Sequence, residues 1–161
     1  MPVLTYGEDP AVGFAGMISE NFTSPQMMES ALAEGELQVG DAVQLGTANQ
    51  QFAPLAAAAD FAGVVVYFAG IEKDPKALPG AVLKIADKQQ CAVMHRGRVW
   101  VIAGGAVTKG AEVVPSTGAS TKFTAGNGEG QVRAVAISEA AADGDLLEIE
   151  LQSYVLAPAD S

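Results

Sequence analysis

His95 is the only histidine of the chain and Cys91 its only cysteine. Any Ser-His-Asp or Cys-His chemistry would therefore have to run through one or both of them. They stand four positions apart in a valine-rich stretch, and four extended residues span roughly 13 Å, so thiol and imidazole do not meet locally. With Arg96 and Arg98 beside it, His95 reads as part of an exposed cationic turn, His95-Arg96-Gly97, with a surface or interface salt bridge as its role. Cys91 has no CxxC, HxxxH or His-carboxylate company and reads as a small buried apolar residue. Asp143-Gly144-Asp145 resembles the opening of a calcium loop. It lacks the spaced ligands and the bidentate glutamate of such a loop, and reads as a turn. Gly126-Asn127-Gly128-Glu129-Gly130 has neither dinucleotide spacing nor the lysine-threonine end of a phosphate loop. The stretch Thr121–Gly130 reads instead as a mobile hairpin tip with Asn127-Gly128 as its turn. Asn21-Phe22-Thr23 fits a glycosylation acceptor in spacing only. The opening MPVLTYGEDP shows no secretory n-region, so the match reads as chance. With no nucleophile beside a base, no paired carboxylates, no metal set and no phosphate loop, the expectation is a non-enzymatic protein without cofactor or metal.

Charge narrows the partners. Nine lysines and arginines stand against 19 aspartates and glutamates, for a formal charge of −10. A surface so acidic repels phosphate backbones and anionic membranes, so neither nucleic acid nor membrane is an expected partner. The apolar run Phe61–Ile71 covers 11 residues and contains two glycines, too short to cross a bilayer. A single cysteine forbids an intrachain disulfide and suits a reducing place of synthesis. Hydrophobic residues make up 49% of the 161. A chain of this length buries roughly 70% of its unfolded surface, so one self-sufficient body is expected.

The elements follow from periodicity. Residues 1–35 carry irregularly spaced apolar residues and three prolines, and read as an extended N-terminal arm that docks on its own body or on a partner. Within it a short helical turn over Ser24–Ala33 is expected, with Ser24 as N-cap and Pro25 at the first helical position. Residues 36–156 read as strand, glycine turn, strand: Ala42–Leu45, Phe61–Phe68, Ala81–Ile85, Cys91–Met94, Arg98–Ile102 and Leu146–Leu151. In the last of these Ile149 and Leu151 point inward and Glu148 and Glu150 outward. Pro54–Asp60 reads as a helical turn or a plain loop, and 157–161 as a frayed tail. Trp100 sits in a core strand, with an interface as its second reading. The predicted fold is all-β, a small β-barrel or β-sandwich with few short helical turns. An internal echo runs through it. Residues 39–47 resemble 109–117, 62–69 resemble 133–140, and 80–85 resemble 144–149, at spacings of about 70 residues for the first two pairs and 64 for the last. It reads as two similar halves, about 36–88 and 106–151, or as convergent β-patterning.

The ordered strings Val39–Val43, Ala59–Tyr67, His95–Val101 and Gly110–Val114 resemble the structural cement proteins of tailed bacteriophage heads, over most of the chain from residue 1 to about 151. The resemblance implies a β-barrel or β-sandwich module that decorates the outer capsid surface of the virion. It implies a homotrimer that binds the major capsid protein and stabilises contacts between capsomers, with no catalytic residues to carry over. On the residues themselves, the candidate capsid or subunit contacts are Tyr6, Phe14, Met17, Phe22, Met27 and Met28 of the arm, since methionine adapts to irregular surfaces, together with Arg96 and Arg98. The alternative is a virion-surface β-module that binds a glycan or receptor, against which one tryptophan and three tyrosines weigh.

Overall fold

The computed structural model describes residues 15–19, 27–67, 84–118, 121–128, 130 and 132–153. Their secondary structure is β apart from one 3-10 turn, Ala58–Asp60. The strands are β1 (Met27–Ala33), β2 (Leu37–Gln38), β3 (Ala42–Leu45), β4 (Gln51–Pro54), β5 (Gly63–Val66), β6 (Lys84–Ile85), β7 (Gln90–Ile102), β8 (Glu112–Pro115), β9 (Phe123–Ala125), β10 (Val132–Ala136) and β11 (Leu146–Ser153). The all-β expectation holds, and a closed barrel answers the choice between barrel and sandwich.

Five strands close that barrel. β1 runs antiparallel to the first half of β7, with Met28 opposite Met94 and Leu32 opposite Gln90. It runs parallel to β4 at Leu32 and Ala33. β4, β3 and β5 follow as antiparallel neighbours, and β5 returns to β7. The core here joins Val43, Phe52, Val65, Cys91 and Val93 to Leu37 and Ile85 of the small β2–β6 pair. The second half of β7 leaves the barrel to pair with β11, from Gly97 opposite Leu151 to Ile102 opposite Leu146. The sheet continues through β10 and β8 to β9, and a parallel bridge from Phe123 to Ala103 brings β9 back to the end of β7.

One strand thus serves both sets, and its middle residue shows how. Gly97 has φ 129°, in the left-handed region that favours glycine, so the strand turns there without interrupting its ladder. The expected turn at His95-Arg96-Gly97 is therefore corrected to the centre of a continuous strand of 13 residues. β5 is likewise used on both faces. Val65 joins the barrel core, while Val64 and Val66 join Met94 in the larger cluster that extends through Val99, Val113, Phe123 and Ile149. Burial on both sides explains why this strand is uniformly apolar.

Several hydrogen bonds occur twice along the chain. Gly40 N–H donates to Val65 O (2.7 Å), and Gly110 N–H to Ala136 O (2.8 Å). Glu34 N–H donates to Phe52 O (2.7 Å), and Gly104 N–H to Phe123 O (2.9 Å). Ala33 N–H donates to Gln89 O, and Ala103 N–H to Asp145 O, both at 2.8 Å. Of the echoed pair 80–85 and 144–149, residues 80–83 lie outside the described residues; Lys84-Ile85 pairs with β2, and Leu146 opens β11.

Two further expectations are corrected. The helical turn over Ser24–Ala33 is a strand from Met27 onward. Its methionines, alanines and leucine favour a helix locally, but pairing with β7 and β4 overrides propensity. Ser24 and Pro25 lie outside the described residues. The hairpin at Asn127-Gly128 does not form, because β9 and β10 both pair with β8 and not with each other. Here Gly126 N–H donates to Glu112 O, and the Glu112 side chain accepts from Gly128 N–H at 2.8 Å. These contacts lead the chain across β8.

Candidate functional site

The residues that could do chemistry are tied into the barrel. His95 lies half-buried in β7. Its Nδ1 donates to the carbonyl of Ala62 at 2.8 Å and its Nε2 lies 3.0 Å from Oε2 of Glu29 on β1. Its ring packs 5.6 Å from that of Phe52. The contact with Glu29 lies within the protein's own barrel, not in an exposed turn. The Glu29 side chain is 45% exposed, so the ion pair itself contributes little. The bond to Ala62 and the contact with Phe52 carry more. His95→Ala is expected to cost about 2 kcal/mol of stability, read by urea unfolding. No change would remove His95 as the clasp between β1, β7 and the approach to β5.

Cys91 is fully buried. Burial pushes its thiol up to about 11, and the charge of Glu29 adds to the effect. Burial therefore favours the protonated thiol. No group of three or more His, Cys, Asp or Glu side chains gathers among the described residues. Asp145 serves its turn as expected, with Oδ2 accepting from Ala141 and Ala142 N–H.

The candidate contact residues separate into three sets. Tyr6, Phe14 and Phe22 lie outside the described residues. Met27, Met28 and Arg96 come together: Met27 stands opposite Arg96 across the β1–β7 ladder, and Met27 and Met28 are 52% and 50% exposed. A register shift between Met27 and Met28 sets their side chains out of simple alternation. Arg98 lies in the other half of β7, and Met17 runs beside that half. The Met17 carbonyl accepts from Trp100 N–H at 3.0 Å, and Arg98 O accepts from Ser19 N–H at 3.0 Å. Arg98 is half-buried beside Glu150, and its Nε is buried without a hydrogen-bond partner among the described residues. Trp100, opposite Glu148, is half-buried rather than core.

Leu32, 43% exposed, extends the apolar strip of β1. In the strand Met28, Ser30 and Leu32 fall on one side together, by the two-residue period. The surface so formed offers exposed methionine and leucine beside one arginine on a strongly acidic protein.

A family model described as "Structural cement protein (E217 gp24/Pam3 gp6)" matches residues 3–152. No curated protein matches the chain.

Proposed function

Because the chain belongs to the phage structural cement protein family, we propose that it acts as a homotrimer on the outer surface of the head, binds the major capsid protein and reinforces contacts between capsomers. The observation that carries this reading is the extent of the match, which spans residues 3–152 and so takes in both strand sets. The exposed patch of Met27, Met28 and Arg96 supports it as the contact surface. Arg98 and Met17 belong to the same reading at its edge, and Tyr6, Phe14 and Phe22 are proposed to add contacts from the arm.

The physics is mass action. A protein that binds only the assembled, expanded shell stabilises that state by its binding free energy. Each copy that clamps several capsid subunits multiplies a modest contact. Heads carrying the protein are expected to withstand a higher temperature than heads stripped of it, read by differential scanning calorimetry of intact particles with electron microscopy of the survivors. Equal heat resistance with and without the protein would defeat the proposal.

A further inference from the structure

We infer that the two strand sets are copies of one unit, and that the outer edge of β1 at Met28–Ser30 accepts an extended, non-acidic segment of the capsid protein as an added strand. The inference rests on the cement reading and names the contact through which it would work.

The duplicated hydrogen bonds supply the correspondence. Ala33 plays in the first set the part that Ala103 plays in the second: each donates to the chain leading into the last strand, Gln89 O or Asp145 O. Each also meets a parallel neighbour carrying phenylalanine, Phe52 or Phe123. Counting back along both strands, Ser30 corresponds to Trp100 and Met28 to Arg98. In the second set that edge is filled. Gly16 N–H donates to Trp100 O (2.7 Å), Trp100 N–H donates to Met17 O (3.0 Å), Ser19 N–H donates to Arg98 O (3.0 Å), and Ile18 bridges Val99 antiparallel. The short extended run Gly16–Ser19 is thus a strand laid on the first strand of its set.

In the first set the same edge is open among the described residues. The bond from Ala33 N–H to Gln89 O sets the alternation of the β1–β7 ladder, so odd-numbered residues of β1 bond β7 and even-numbered ones point the other way. Leu32 follows the rule, donating outward to Gln50 O at 2.9 Å. β4 meets β1 only at Leu32 and Ala33, which leaves the outward groups of Ser30 and Met28 beyond its reach. Ser30 is exposed and Met28 is half exposed.

Natural proteins usually guard such an edge with lysine, proline or an inward charge. From Met28 to Leu32 the chain reads Met-Glu-Ser-Ala-Leu, and Glu29 is engaged by His95. Among the described residues the edge is therefore unguarded, which fits strand addition: main-chain bonds give affinity and alternate side chains give selectivity. Charge decides the occupant. A chain of formal charge −10 repels an acidic segment. A neutral or basic segment meets no such repulsion, and a neutral one lies comfortably beside Met27, Met28 and Arg96.

Ser30→Pro tests this directly. It removes an outward N–H while leaving the β7 ladder bonds in place, and proline is tolerated at outward positions of edge strands. The binding assay is co-sedimentation with expanded heads of the same phage assembled without this protein. Wild type and Ser30→Ala are expected to bind alike, and folded Ser30→Pro to bind about tenfold more weakly or worse, a loss on the scale of one hydrogen bond. Equal binding by Ser30→Pro overturns the edge inference and leaves the cement reading standing. A wild-type protein that does not bind overturns both. A Ser30→Pro protein that dissociates in light scattering while wild type remains oligomeric assigns the edge to a second copy and overturns the capsid-segment occupant. Should Ser30→Pro fail to fold, hydrogen exchange on wild type decides: slower exchange of the Ser30 amide on heads supports the inference, and unchanged exchange overturns it.

Discussion

Phe123→Ala lowers the unfolding free energy by about 4 kcal/mol, the range for a large buried aromatic cut to a methyl group. For a chain of this size that is a fall in melting temperature of roughly 8–16 °C. Phe123 is fully buried and meets Phe61 edge-on, with ring centroids 5.9 Å apart at 67°. Its backbone is held on both sides: Pro115 lies opposite it in β8, and its carbonyl accepts from Gly104 N–H at 2.9 Å. Neighbours so constrained collapse poorly into the space left, so the cavity cost adds to the lost transfer energy. Because Phe61 leads into β5 of the barrel while Phe123 lies in β9 of the second set, the loss is also expected to loosen the two sets together. Thermal unfolding checks this, and a loss under about 1 kcal/mol would be out of keeping with a core ring.

Asp41→Ala costs about 3 kcal/mol, the scale for losing hydrogen bonds to a buried charged acceptor and leaving donors unpaired. Asp41 is only 5% exposed and Thr121 4%. Oδ1 of Asp41 accepts from Thr121 N–H at 3.1 Å, and Oδ2 accepts from Gln38 N–H at 3.3 Å. The Thr121 hydroxyl in turn accepts from Ala42 N–H at 2.7 Å. The carboxylate therefore ties the turn before β3 to the segment before β9. Asp41→Asn keeps one acceptor oxygen and is expected to lose less, about 1 kcal/mol. Urea unfolding of the two variants gives the order, and an equal loss in both would mean that charge rather than acceptor geometry governs the site.

Much of the fold was legible where a local pattern and a tertiary need coincide. β3 has the extent its residues suggest. Glu148, Ile149, Glu150 and Leu151 alternate as a half-solvated strand should, with Ile149 and Leu151 fully buried. The failures fall where they diverge. Met27–Ala33 is rich in helix formers, and only its neighbours on two edges make it a strand. Asn127-Gly128 carries a hairpin signal, yet β8 already occupies the position between β9 and β10. His95-Arg96-Gly97 looks like a break because polar residues and glycine interrupt a valine run. In the fold, His95 is consumed by Ala62 and Glu29 and the glycine lets the ladder bend. The candidate surface was half legible. Methionine content pointed to Met27 and Met28, but the open backbone of Ser30 has no side-chain signature at all.

Composition and spacing alone determined that this is a β-protein, that it is acidic, and that its histidine and cysteine are too isolated in sequence to form a local catalytic pair. These properties depend on residue type and on the two-residue period of an extended chain, both of which are local. Only the tertiary structure decided that five strands close a ring, that β7 belongs to two sets at once, and which edge is filled and which is open among the described residues. Strand pairing is a contact between residues far apart in the chain, with many registers of nearly equal local merit. The choice among them is made by the joint burial of Val65, Phe52 and Phe123 and by carboxylates such as Asp41 finding distant donors.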